Sequence, residues 1–184
     1  GAVGGALSRT LSARFSALYQ SQSDWVDNAY EPGPEDEIGG YETNAYRLQF
    51  LWEPSQRFDA LLNVHGWDLD GTARIFRANI LEKGTSDLVD GYEQDEVSQD
   101  GLNQQKIRAY GGALRLEYDF GKATLTSVTG YETLDEMYSR GDIDGGFGAV
   151  FAPPSGPGLI PFPSESADGL PELDQFTQEL RLAS

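Results

Sequence analysis

The chain has 184 residues, with 22 glycines, 9 prolines, 11% aromatics and a net charge of −17. That is the length of one domain or of a piece of something larger, in a composition that suits strands and long loops. The acidic balance, without clustered Lys and Arg, excludes nucleic-acid binding through phosphates; the lack of cysteine excludes disulfides and thiolate metal sites; and no apolar run reaches the ~18 residues of a transmembrane helix, although a membrane strand would hide its signal in alternation.

In chain order, residues about 1–7 (GAVGGAL) read as the end of a strand, and Ser8-Arg9-Thr10 as a turn. Over about 11–26, Leu11, Ala13, Phe15, Ala17 and Tyr19 alternate with Ser12, Arg14, Ser16 and Gln20, the period of two that marks a strand. A loop follows over about 27–43, with Pro32, Pro34 and the acidic run Glu35-Asp36-Glu37. The clearest signal is a hairpin over about 44–53 and 57–70. Tyr46, Leu48, Phe50 and Trp52 share one face of its first strand, and Phe58, Ala60, Leu62, Val64 and Gly66 share a face of its second. Arg47, Gln49, Asn63, His65 and Trp67 fall on the opposite faces. Pro54-Ser55-Gln56 is expected to turn between them, since proline donates no ladder bond.

Residues about 72–108 form a long polar insertion, with a short helix expected over Ala73 to Glu82. Strands are then expected over about 109–120 and 123–138, joined by the turn Gly121-Lys122. A Gly- and Pro-rich loop over about 140–172 holds six of the nine prolines. A last strand covers about 174–184, where Phe176, Gln178, Leu180 and Leu182 alternate with Thr177, Glu179 and Arg181. The connections run short, long, short, long, short, long. Loops beyond about 12–15 residues are uncommon in compact domains, and three at one end of a set of hairpins match outer-membrane barrels, with short periplasmic turns and long outer loops. Trp52, Phe58, Tyr118 and Phe120 would form part of an interfacial girdle at the short-turn end. The fold class expected is therefore all-β: antiparallel up-and-down hairpins forming part of a transmembrane β-barrel.

Three segments carry a family resemblance: Trp52-Glu53-Pro54-Ser55, Leu125-Thr126-Ser127-Val128-Thr129-Gly130-Tyr131, and Phe176-Thr177-Gln178-Glu179-Leu180-Arg181-Leu182. The last two are the more specific. They resemble barrel strands of TonB-dependent outer-membrane receptors. The resemblance implies a 22-stranded barrel with an N-terminal plug and a TonB box, of which about seven strands are seen here. The plug and box are expected to lie outside this chain. It also implies energised uptake of a scarce ligand, such as a siderophore complex, a vitamin or a glycan, across the outer membrane of a Gram-negative bacterium. Expected partners are outer-membrane lipid and a small-molecule or glycan ligand, with TonB reached only through those N-terminal regions. Self-association of the piece stays open, because free strand edges and an uncovered apolar face drive association. A soluble carbohydrate-binding or adhesive module and a passive porin are the rival readings.

No catalytic constellation is expected, and no cofactor. The single histidine, His65, has no Ser/His/Asp partners in the pattern; beside Trp67 it is a polar-face candidate for ligand contact. Asp68-Leu69-Asp70-Gly71 and Asp142-Ile143-Asp144-Gly145 each open like a calcium loop. The later ligand positions hold Asn79 and Pro153, so both read as turns, and no metal ligand is assigned. Asp68 and Asp70 join His65 and Trp67 as ligand-binding candidates, as do the loop aromatics Tyr92 and Phe147. Phe76, Phe151 and Phe162 are further loop aromatics that stack on a ligand or pin a loop. Asp59 and Glu117, near Arg57, Arg115 and Arg181 in the pattern, read as a mixed-charge lumen. The three loops carry 18 of the 30 acidic residues and 6 of the 13 basic ones, so −12 of the −17 charge lies there. That charge serves either an acidic vestibule, which concentrates cations or neutral ligands, or loop solubility.

Overall fold

The computed structural model describes residues 1–147, 149–151 and 158–184, with Phe151 described by its backbone alone. Among the described residues thirteen strands follow in order: β1 (Ala2–Ala6), β2 (Leu11–Gln22), β3 (Val26–Asn28), β4 (Glu37–Ile38), β5 (Tyr41–Ser55), β6 (Phe58–Gly71), β7 (Glu96–Val97), β8 (Gln104–Asp119), β9 (Thr124–Asp142), β10 (Val150–Phe151), β11 (Gly158–Leu159), β12 (Glu165–Leu170) and β13 (Leu173–Ala183). The long ones form a single antiparallel sheet in the order β1-β2-β5-β6-β8-β9-β12, with β13 also pairing β9. Each neighbour in the sheet is the next long strand in sequence, so the topology is up-and-down. The sheet is open, ending at β1 on one side and at β12 and β13 on the other.

Register carries the alternation of each strand across the sheet. Phe15 faces Leu48, Leu48 faces Val64, Phe50 faces Leu62 and Leu62 faces Leu114. Ser16 faces Arg47, Arg47 faces His65 and Gln49 faces Asn63. Directly opposed residues share a face, so the sheet has one mainly apolar and one mainly polar side, although Thr129 and Gln178 continue the apolar row beyond Leu114 and Leu51 and Leu61 stand on the polar side. The apolar side is not covered: Leu62, Val64, Leu114, Leu180 and Leu182 are all exposed. Aromatic side chains group at its short-turn rim, with Trp52 edge-on to Phe58 at 5.7 Å and Tyr118 at 4.7 Å from Phe120.

Two prolines mark irregularities. The expected Pro54-Ser55-Gln56 turn is displaced: β5 runs through Pro54 to Ser55, which pairs Phe58, leaving Gln56-Arg57 as the turn. The register slips between Trp52 and Ser55, and Pro54 fits inside β5 because a bulge demands no donor there. Pro171 interrupts what is otherwise one course along β9: β12 and β13 pair it in the same register, Leu170 with Met137 and Leu173 with Leu134. At the tight turn after β8, Gly121 has φ +88°, a left-handed conformation that favours glycine.

The helix expected over Ala73 to Glu82 does not form. The segment is irregular, with Asn79 at φ 55° and an isolated bridge between Leu81 and Leu88. Its apolar residues lack helical spacing, and Ile75 instead packs on a core made by other loops. That core, Val26, Ile38 and Val97, lies in a second small sheet of order β4-β3-β7. It is built from the two long connections after β2 and after β6. Thus the buried apolar core among the described residues sits in the loops at one end, not in the wall.

Candidate functional site

Two regions gather polar side chains. The first is the polar side of the wall. One row across the strands reads Ser16, Arg47, His65, Gly111, Glu132 and Gln175. His65 Nε2 lies 3.0 Å from Glu132 Oε2, and its Nδ1 lies 3.2 Å from Asn63 Nδ2. The bond to Glu132 spans a whole intervening strand, and Gly111 permits this. A Cβ there would collide with the Glu132 carboxylate. Below this row, Asp59 and Glu117 share Arg115, at 3.1 and 3.4 Å, and Arg181 pairs with Glu179. Paired charges of both signs therefore line this side. Beside the row, Leu18, Ala45 and Trp67 floor an open concavity of about 480 Å³, with Arg14, Arg47 and His65 at its edge. Trp67 is held by donating from Nε1 to Thr43 Oγ1 at 2.8 Å. Among the described residues Arg14 and Arg47 make no ion pair.

This geometry makes a direct expectation. In Gly111→Val, the branched side chain occupies the path of Glu132, so the Nε2 resonance of the single histidine should shift as it does in Glu132→Gln. Global stability should change by only about 0–1 kcal/mol in Glu132→Gln, because the pair is solvent-facing, and should fall further in Gly111→Val, because a Cβ there also meets the Tyr131 backbone carbonyl at 2.6 Å. An unmoved resonance in both variants would mean that the pair does not form.

The six ligand-binding candidates are not brought together. His65 and Trp67 stand on the polar side. Asp68 and Asp70 alternate to the other side, where Arg108 meets Asp68 at 3.3 Å and Lys106 meets Asp70 at 3.1 Å. Tyr92 and Phe147 serve the loops: the Arg77 guanidinium lies 5.9 Å from the Tyr92 ring centroid, and Phe147 stacks on Tyr30 at 4.5 Å. Arg77 also donates to the carbonyls of Glu93, Gln94 and Glu96, which fixes the loop before β7. The Phe151 side chain and Pro153 lie outside the described residues.

The second region is the loop cap, which pattern reading missed. A chain of amides, half-buried at Asn28 and buried at Gln99 and Asn103, ties three connections together. Asn28 Nδ2 donates to the Glu35 and Gln99 carbonyls, and Gln99 N donates back to Asn28 Oδ1 at 2.9 Å. Gln99 Nε2 donates to the Phe76 carbonyl at 2.9 Å, and Asn103 Nδ2 donates to Gln99 Oε1 at 3.2 Å. Asp142 N donates to Asn103 Oδ1 at 3.2 Å. At the end of this chain the carboxylates of Asp100, Asp142 and Asp144 offer oxygens within 4.8 Å of one another. Asp142 is fully buried and Asp144 is 6% exposed. Asp142 accepts from the N–H of Gly101 and of Asp144, and Asp144 Oδ1 accepts from Gly146 N. Asp144 Oδ2 and both carboxylate oxygens of Asp100 are buried without a hydrogen-bond partner. Burial first, then the neighbouring Asp142, pushes the Asp144 carboxyl up to about 6, and the same two causes raise Asp100. The Asp142-x-Asp144-Gly segment was legible as a turn. Its third carboxylate, forty-odd residues upstream, was not.

No family model, curated protein or solved structure matches the chain. The class the structure defines is an all-β chain of antiparallel, up-and-down strands, with an amphipathic wall and a knitted cap of loops at one end.

Proposed function

We propose that this chain is part of the barrel wall of a TonB-dependent outer-membrane receptor, for energised uptake of a scarce ligand such as a siderophore, a vitamin or a glycan. The observation that carries the reading is the uncovered apolar side and its two aromatic rows. At the short-turn rim stand Trp52, Phe58 and Tyr118. Toward the loops, five strands each add an aromatic to the same side: Tyr19, Tyr46, Tyr110, Tyr131 and Phe176. Tyr110 and Tyr118 are eight residues apart on β8, about 27 Å of strand. Tilted by about 40°, that length stands roughly 21 Å tall, close to the ~25 Å apolar band of an outer-membrane barrel. In this reading the apolar side meets lipid, the polar side lines the lumen, and further wall strands pair with the open edges. The concavity floored by Trp67, with Arg14 and Arg47, unpaired among the described residues, at its edge, is the ligand-facing surface. Energy comes through TonB, engaged by regions outside this chain. The wall catalyses nothing. A soluble carbohydrate-binding module would instead cover its apolar side with a second layer.

Fluorescence separates these readings. The chain has three tryptophans, Trp25, Trp52 and Trp67. In vesicles of brominated lipid, the W25F/W67F variant, which retains Trp52, should be quenched several-fold more than W25F/W52F, which retains Trp67. Equal, weak quenching of both by lipid would reject the membrane reading, and protection of Trp52 from aqueous iodide as well would favour a soluble module with its apolar side covered.

A further inference from the structure

We propose that Asp100, Asp142 and Asp144 bind a calcium ion that clips the connection after β6 to the connection after β9. Three observations argue for it independently of any role in transport. First, three carboxylates converge from segments forty residues apart, and the amide chain through Gln99 and Asn103 holds them there. Second, three of their six oxygens are buried and unsatisfied, Oδ2 of the almost fully buried Asp144 among them. Buried polar atoms in native structures almost always have a partner, so an orphaned set aimed at one point marks a missing ligand. Third, no cation of the chain supplies it among the described residues: the guanidinium of Arg140 is taken by Glu165, and Glu165 itself adds negative charge beside Asp100.

The donor set selects the ion. All donors are carboxylate oxygens, with neither thiolate nor imidazole in the cluster, which favours hard cations over zinc or copper. Calcium accepts six to eight oxygens in irregular geometry, so three carboxylates completed by water suit it. Magnesium demands near-octahedral geometry and sheds its water reluctantly. Gly101 lets the chain pass close enough for Asp100 to enter: a Cβ there would sit 2.8 Å from Glu165 Cγ and 3.1 Å from Asp142 Cβ.

The test is a calorimetric titration of the chelator-treated full chain with calcium chloride. One saturable site per chain is expected, with magnesium binding about tenfold or more weakly. D100N/D144N should lose about tenfold or more of the calcium affinity, because two charged donors become neutral amides. D68N/D70N, which alters the other Asp-x-Asp-Gly turn, should bind as the wild type does. Calcium should raise the melting temperature of the wild type and leave that of D100N/D144N unmoved. Hydrogen exchange on the wild type alone then locates the site, with slowing expected at residues 99–103 and 141–147. Absence of saturable calcium binding by the wild type, undiminished binding by a folded D100N/D144N, or protection confined to other segments would each overturn the proposal.

Discussion

Leu62→Arg should destabilise the chain in lipid vesicles by about 2–4 kcal/mol on the proposed membrane reading, the cost of a guanidinium near the bilayer midplane of a barrel. Leu62 is on β6, in the middle of the sheet. It lies four residues from Phe58 and four from Gly66, so it stands midway between the two aromatic rows. Its neighbours on the same side are Phe50 and Leu114, and none of them offers the arginine a partner. The matched control is Ala113→Arg. Ala113 sits at the same height on the adjacent strand, but on the polar side, between Asn63 and Gly130. The new side chain there has water to reach, so the change should stay within about 0.5 kcal/mol. Denaturant unfolding from lipid vesicles measures both. Equal effects of the two substitutions would show that the apolar side does not meet lipid.

Asn103→Leu should loosen the loop cap by about 2–4 kcal/mol while leaving the wall intact. Asn103 is 2% exposed and nearly isosteric with leucine. Its loss leaves the N–H of Asp142 and Oε1 of Gln99 buried without partners, and each such orphan costs about 1–3 kcal/mol. The effect should remain local because the cap has its own core of Val26, Ile38 and Val97, and regions with separate cores open separately. Hydrogen exchange should therefore accelerate over residues 72–103 and 141–147, with β5, β6 and β8 unchanged up to Tyr110. Uniform acceleration would mean that cap and wall unfold as one unit; no acceleration would mean that the amide chain carries no stability.

The wall was legible in the sequence because its information is local. A period of two in Tyr46 to Trp52 and in Phe58 to Gly66 says which residues share a face before any partner is known, and short turns force neighbouring strands to pair. The same locality explains the misreadings. Pro54 looks like a turn residue from its chemistry alone, and only the slipped pairing with β6 reveals a bulge that accommodates it. Asp68 and Trp67 look adjacent in sequence, yet a strand sends neighbours to opposite sides, so the two cannot contribute to one ligand site on a single face.

By itself, the sequence determined an all-β chain, its alternation of short and long connections, the two-sided character of the long strands and the acidity of the loops. Tertiary structure alone decided that Val26, Ile38 and Val97 make a core, that His65 reaches Glu132 across Gly111, and that Asp100 joins Asp142 and Asp144. The physical reason is separation along the chain. Alternation is written between residues two apart, where the backbone dictates direction. Each of the other features joins residues from 44 (Asp100 to Asp144) to 71 (Val26 to Val97) positions apart at its longest step, where only the path of the folded loops determines which side chains meet.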